Sequence, residues 1–386
     1  MSQPRRSLRT IAVHAGEPRP SLEGAISMPI FQSSTFVLGD PGEFDDIRYI
    51  RLNNTPNHEA VGAKLAALEG TEAAIVGPSG TAAISMTLQT LLAQGDHLLA
   101  QERVYGGTRK VLDALAGRQG IEVSYVPFEA VEPWREALRP NTRAIYVESL
   151  TNPLLEIGPL DEAAAFARAH GLVSVIDNTF ASPVVFRPAE LGFDLVLHSA
   201  SKYLNGHSDL CAGVVAGDAA RIEAVRRTMN LAGVCLDPHA CSLLQRGLKT
   251  LPLRVPAQNA GALVLARALE RHPKVRRVHY PGLASDPGHR RACRWFEGFG
   301  AIVTLALRGE AAMAERLIAG LTLAQPAPSL GGVESLVCRP ETTSHAGLPE
   351  AVRLRMGVGA DLVRVSVGIE DPEELVADFL GALDAA

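Results

Sequence analysis

Six short apolar runs alternate with helical stretches through the middle of this chain, and that alternation leaves few folds open. Ala73-Ala74-Ile75-Val76 reads as a strand, then Gly77-Pro78-Ser79-Gly80 turns into small residues that open a helix to about Leu92. His97–Ala100, Val123–Val126, Ala144–Glu148, Leu172–Ile176 and Leu195–Leu197 read as further strands. Thr108–Leu115 and Asp161–His170 read as helices between them. Such alternation predicts a largely parallel sheet with helices on both faces. Sites in such sheets lie at the carboxyl ends of the strands. The polar residues falling there are Tyr105, Glu148, Asn152, Asp177 and Lys202.

Two of these carry chemistry. Lys202 follows a buried strand and the hydroxyls Ser199 and Ser201. A lysine there is costly unless it has a partner or a covalent task. The plain alternative is a stem that reaches back to water. Of the 37 basic residues only five are lysines: Lys64, Lys110, Lys202, Lys249 and Lys274. Lys64 is expected on an amphipathic helix from His58 to Leu68, Lys110 at a polar helix start, Lys249 in a turn and Lys274 in a loop. Lys202 alone stands at a strand end, where arginine could not supply a neutral amine for Schiff-base chemistry. Asp177 closes Val173-Ser174-Val175-Ile176 directly. It either caps the next turn or pairs with a pyridinium N–H, keeping a pyridine ring an electron sink.

The glycine turn at Ser79-Gly80-Thr81 opens a helix whose free N–H groups suit a phosphate. It is neither a Walker loop nor a dinucleotide fingerprint, which argues against a nucleotide-dependent dehydrogenase. At 386 residues the chain has room for two or three domains. A formal net charge of -5 gives no nucleic-acid footprint, and Arg5, Arg6 and Arg9 read as a solvated tip. No signal core and no membrane-spanning run is present, which predicts a cytoplasmic protein. Five cysteines without CxxC spacing read as buried thiols rather than a disulfide framework or zinc site.

Residues 1–57 read as an extended arm, where Pro18, Pro20, Pro29 and Pro41 forbid long helices. It ends in a Tyr49-Ile50-Arg51 loop. Residues 58–250 hold the alternating pattern. Leu251–Pro256 reads as a proline-bounded break, followed by a helix from Ala257 to Glu270 and a smaller α+β domain over 251–386. There Ser329-Leu330-Gly331-Gly332 reads as a loop. Arg364 lies within the strand Leu362–Val367, as either a solvated edge residue or a clamp for a carboxylate.

The run His198-Ser199-Ala200-Ser201-Lys202-Tyr203-Leu204-Asn205-Gly206-His207-Ser208-Asp209 resembles the lysine signature of the pyridoxal-phosphate-dependent Cys/Met metabolism enzymes. Val104–Thr108, Glu148–Pro153, Ile176–Phe180, Arg246–Leu251, Ser329–Leu336 and Val363–Gly368 match the same family. The resemblance implies the type I pyridoxal-phosphate fold, with a large, mostly parallel α/β domain and a smaller C-terminal domain. It implies that Lys202 holds the cofactor and then moves protons, that Asp177 pairs with the ring nitrogen, and that Tyr105 stacks on the ring and assists proton transfer. It gives the phosphate to Gly80, Thr81, Ser199 and Ser201. Tyr49 and Arg51 would reach the phosphate of a neighbouring subunit in a tetramer of two catalytic dimers. Asn152, Ser329 and Arg364 would bind the substrate carboxylate or the cofactor hydroxyl. The implied activity is a carbon–sulfur lyase of sulfur amino acids, like the family's cystathionine γ-lyases, with γ-replacement as the alternative. A catalytically idle member serving as a binding protein is opposed by the intact Lys202, Asp177, Tyr105 and Arg364.

Several positions depart from the family pattern. Asn53-Asn54-Thr55-Pro56-Asn57 replaces the usual Gly-Asn-Pro-Thr, and Thr81 replaces a methionine. Arg48 and Pro328 stand where distal glutamates are often found, which counts against cystathionine as the sole substrate. Gly107 stands where methionine γ-lyases carry cysteine.

Overall fold

The computed structural model describes residues 6–38, 47–309 and 311–386; Arg5 and Pro41 lie outside the described residues. Seven strands form the larger sheet: β1 (Ala73–Gly77), β2 (His97–Gln101), β3 (Glu122–Val126), β4 (Thr142–Glu148), β5 (Val173–Asp177), β6 (Leu195–Ser199) and β7 (Gly213–Gly217). Their order is β1-β7-β6-β5-β4-β2-β3. The pairs from β6 to β3 are parallel, and β7 runs antiparallel to both β1 and β6. The near-continuous apolar strands follow from burial on both faces. Ile145 and Val147 pack into one core and Ala144 and Tyr146 into another across the sheet.

Five strands form the second sheet: β8 (Val275–His279), β9 (Ile302–Leu307), β10 (Gln325–Pro326), β11 (Leu336–Cys338) and β12 (Leu362–Ser366), in the order β10-β11-β12-β9-β8. Only β10 and β11 pair in parallel. Arg364 sits in the middle of β12, which is buried throughout.

Three local expectations are overturned. The predicted break at Leu251–Pro256 lies inside one 33-residue helix, Pro238–Glu270, which also contains Lys249 rather than a turn. Each proline removes one helical hydrogen bond, but Leu244, Leu248, Leu251 and Val255 bury a continuous stripe that holds the helix together. The helix Pro56–Glu69 is not amphipathic. It packs between β1 and the long helix, and its Lys64 is fully buried. Lys64 Nζ donates to the carbonyls of Ala12 (2.7 Å) and Val13 (3.4 Å) and pairs with Glu17 at 3.3 Å. Burial of a lysine is therefore not peculiar to Lys202. Finally, only Cys241 and Cys338 are buried; Cys211 and Cys293 are exposed. Among the described residues, no helix is long and apolar enough to cross a membrane.

Candidate active site

The carboxyl ends of β1, β2, β4, β5 and β6 converge on a cavity of about 640 Å³, closed on its far side by the loop around Pro328, by Thr342–Ser344 and by Arg364. Gly80, Thr81, Tyr105, Asn152, Asp177, Ser199, Ser201, Lys202 and Arg364 all line it. Ser329 meets it through Lys202, whose Nζ donates to the Ser329 hydroxyl at 2.8 Å. Burial first, and then the nearby Arg364 charge, pull the Lys202 amine below the ordinary lysine range.

Asp177 closes β5 opposite that amine. Thr179 serves one carboxylate oxygen twice, from its N–H at 3.0 Å and its hydroxyl at 2.5 Å. The same hydroxyl accepts from the Ser199 N–H at 2.8 Å, which ties the end of β5 to the end of β6. The other Asp177 oxygen meets only the Tyr146 hydroxyl, at a long 3.4 Å. Burial pushes the Asp177 carboxyl up. A buried acid with one weakly engaged oxygen suits a cationic N–H presented from the cavity.

The helix Gly80–Leu91 starts at the cavity. Its cap, Ser79, accepts from the Ala82 N–H at 3.0 Å, so the Gly80 and Thr81 N–H groups have no helical acceptor. Gly80 is required because a Cβ there would lie 2.7 Å from the Ser199 Cβ. This closeness brings the helix N-terminus and the Ser199 hydroxyl onto one spot, a cradle for an anion. The Ser201 hydroxyl is anchored by the Ala212 N–H at 3.0 Å.

At the far side Arg364 is 2 % exposed. Its guanidinium donates to Asn152 Oδ1 at 3.1 Å and to the carbonyls of Pro328 (3.3 Å) and Ser329 (3.2 Å). Among the described residues no carboxylate answers it, and its buried Nε has no partner. Both Nη2 protons and one Nη1 proton are thus engaged and Nε is enclosed, which leaves one Nη1 donor for an outside carboxylate.

Tyr105 stands half-exposed at the mouth, ahead of the helix Gly106–Gln119. Its N–H donates to Glu148 Oε1 at 2.6 Å. A Cβ at Gly107 would lie 2.4 Å from the Tyr105 ring, so a cysteine at 107 would displace that ring. Glu148 also lines the cavity; from the sequence it is only a polar residue at a strand end. Burial and the neighbouring Asp177 charge push its carboxyl well up. Thr179 and Thr342–Ser344 were not singled out either. Thr179 could have been read from its place two residues after Asp177; the 342–344 loop arrives from the distant end of the chain.

Tyr49 and Arg51 do not line this cavity. They flank Ile50 at a short 3-10 turn, with Arg51 donating to the Asn230 carbonyl at 3.3 Å and its guanidinium over the Tyr49 ring at 5.6 Å. Arg48 pairs with Glu59 at 3.0 Å.

The assembled groups fit pyridoxal phosphate: an amine of lowered basicity, a buried acid for a ring nitrogen and an anion cradle a glycine keeps open. Comparison with known proteins points the same way. The chain is 39% identical over 377 residues to a cystathionine γ-lyase of Bacillus subtilis (strain 168), covering 97% of this chain and 99% of that one. It is 38% identical over 379 residues to a cystathionine β-lyase of Lactococcus lactis subsp. cremoris (strain MG1363), covering 98% and 99%. A crystal structure of cystathionine γ-synthase from Xanthomonas oryzae pv. oryzae, in complex with aminoacrylate and cysteine, superposes with a TM-score of 0.94 at 35% identity, covering 98% of each chain. With the family model matching from residue 9 to residue 384, this chain belongs to the Cys/Met metabolism PLP-dependent enzymes.

Proposed function

We propose that this protein is a carbon–sulfur lyase of sulfur amino acids, cleaving at Cγ or Cβ to give a thiol, ammonia and a 2-oxo acid. The observation that supports it most is the arrangement of Lys202, Asp177 and Arg364 around one cavity, where the guanidinium meets amide and carbonyl oxygens but no carboxylate among the described residues. When bound, pyridoxal phosphate supplies an aldehyde for an amine and a ring that takes up electrons from the substrate's Cα. Asp177 accepts the ring N–H. The Gly80 and Thr81 N–H groups and the Ser199 and Ser201 hydroxyls hold the phosphate. Tyr105, half-exposed at the cavity mouth, would stack on the ring.

Arg364 takes the substrate carboxylate through its charge and its remaining Nη1 donor, with Asn152 fixing the guanidinium plane. That grip sets which Cα bond is aligned for cleavage. Lys202 Nζ removes the Cα proton, and Ser329 keeps the amine on station at 2.8 Å. For a sulfur on Cβ, the C–S bond then breaks with sulfur taking the electron pair. For a sulfur on Cγ, a second proton must first leave Cβ. Hydrolysis of the remaining unsaturated amine gives the oxo acid and ammonia.

Tyr49 and Arg51 lie off their own cavity on an accessible segment, which fits a role at a neighbouring subunit's phosphate in a dimer of catalytic dimers. The same reading places the enzyme in the cytoplasm. The likeness to a γ-synthase structure favours γ-replacement as the second reading. A panel of cystathionine, cysteine, homocysteine, methionine and O-acylated homoserines, assayed for oxo acid with and without an added thiol, separates the two. Release without thiol supports the lyase; turnover only with thiol supports replacement. Lys202→Ala is expected to abolish both, and normal turnover by that variant would reject the assignment.

A further inference from the structure

A second cavity, of about 160 Å³, opens between the ends of β2, β3 and β4 and the strand β8 of the other sheet. It shares no lining residue with the first. Its floor is apolar, with Phe128, Leu154 and Ile157 buried there. Gly158 lets the Phe128 ring lie in that floor, because a Cβ at 158 would be 2.3 Å from it. The rim carries opposite charge on its two sides. Beside the larger sheet, one guanidinium, Arg103, is shared by three carboxylates: Glu156 at 2.5 Å, Glu129 at 3.6 Å and Glu102 at 3.8 Å. Glu156 takes the short contacts, so Glu102 and Glu129 keep most of their charge. On the β8 side, Arg277 makes no ion pair or side-chain hydrogen bond among the described residues. Asp286, next to it on the rim, spends its oxygens on the N–H groups of Tyr280 (3.0 Å) and Gly288 (2.7 Å). Burial pulls the His279 ring down to about 4, so it adds no charge here. Exposed charges alone are worth little. Both signs standing over one apolar floor are the make-up of a small-molecule pocket.

We propose that this cavity is a binding site for a small zwitterionic amino acid with an apolar side chain. The ammonium goes to Glu102 and Glu129, the carboxylate to Arg277, and the side chain to the floor. The position gives the site a route to the first cavity. The 151–156 loop closes on itself: the Thr151 N–H donates to the Glu156 carbonyl at 3.1 Å, and the Glu156 N–H donates to the Thr151 hydroxyl at 3.0 Å. Leu154 and Glu156 of this loop line the second cavity, while Asn152 lines the first and holds Arg364. Arg291 ties the end of the loop down, donating to the carbonyls of Ile157 (2.9 Å) and Glu129 (2.8 Å). A ligand seated here therefore steadies the loop that carries Asn152. Its effect on a substrate carboxylate rests on the function proposed above; the binding site does not.

The test uses holoenzyme treated with borohydride, which caps Lys202 with the reduced cofactor so that no added amine can exchange there. L-leucine, which has no sulfur to eliminate, is the probe, alongside its decarboxylated amine and its deaminated acid. Titration calorimetry reads binding. Tryptophan fluorescence reports on the floor, since Trp134 stacks on Phe128 at 5.4 Å, and hydrogen exchange over residues 151–158 reports on the loop. Expected are one leucine per chain, both analogues weaker by about fivefold, and slower exchange over 151–158. Arg277→Gln should bring leucine down to the level of the amine, and Glu102→Gln/Glu129→Gln to that of the acid. The proposal is overturned if leucine does not bind, if it binds either variant as tightly as wild type, or if exchange over 151–158 is unchanged. Absence of label on Lys202 would instead sink the cofactor reading. The same titration on that protein would still decide the site, because the two cavities have no residue in common.

Discussion

Replacing Arg364 with lysine probes the proposed carboxylate grip with the least change of charge. The guanidinium has one Nη1 donor open to a substrate while three others hold Asn152 and the Pro328 and Ser329 carbonyls and Nε is enclosed. A lysine ammonium keeps the charge but cannot hold these partners and a substrate from one rigid plane. One charge-assisted hydrogen bond to the substrate is lost, worth about 1.5–3 kcal/mol. At about 1.4 kcal/mol per decade, kcat/KM should fall about 10–150-fold. The vacated carbonyls and Asn152 Oδ1 should also lower unfolding free energy by about 1–3 kcal/mol. Steady-state kinetics would be run on an amino-acid substrate and on its decarboxylated amine analogue. The wild-type preference for the amino acid should shrink in the variant by the same factor as kcat/KM. If stability drops but that preference is unchanged, Arg364 is a strut between β12 and the 328–329 loop and grips no carboxylate.

Other consequences follow from buried charges outside the proposed grip. Glu148 carries a raised carboxyl, so the folded protein holds a proton that the unfolded chain releases. That contribution is complete below about pH 4.5 and is lost as pH rises towards the folded value; Glu148→Gln should flatten this part of the stability–pH curve, read from urea midpoints. The amide still accepts from the Tyr105 N–H, so Glu148→Gln should cost less than about 1 kcal/mol, whereas Glu148→Ala should cost about 2 kcal/mol. Lys64→Met strands the Ala12 and Val13 carbonyls, while Glu17 keeps Lys249 at 2.9 Å and Gln245 at 3.0 Å. It should cost about 2–4 kcal/mol and expose the chain near Glu17 to protease before global unfolding; unchanged protection there would show that Lys64 does not fasten the N-terminal segment.

The strands and their polar ends were legible because burial on both faces writes apolar runs into the sequence, and the site lies where those runs stop. Asp177 and Lys202 could be read as a pair for that reason. What escaped the sequence depends on partners far away along the chain. His198 finds Glu69 across 129 positions, and Arg364 finds Asn152 across 212. Lys64 looked like a solvated helix residue because nothing local shows that its helix is enclosed on both sides.

The prolines at 252 and 256 misled for a more instructive reason. Each removes a helical donor, and local chemistry alone would end the helix there. Between them stands Arg254, buried and without a carboxylate, its basicity pulled down to about 10 by that burial. It donates to the Gly247 carbonyl of its own helix at 2.9 Å and to the carbonyls of Tyr203 (3.0 Å) and Asn205 (3.3 Å). The residues it holds directly follow Lys202. A guanidinium held by carbonyls and, through Nε, by the Thr250 hydroxyl at 3.0 Å gives up solvation to make several charge-assisted bonds at once, and the turn that carries the reactive amine is what those bonds immobilise. The segment that reads as a break is thus the part of the long helix that grips the Lys202 turn.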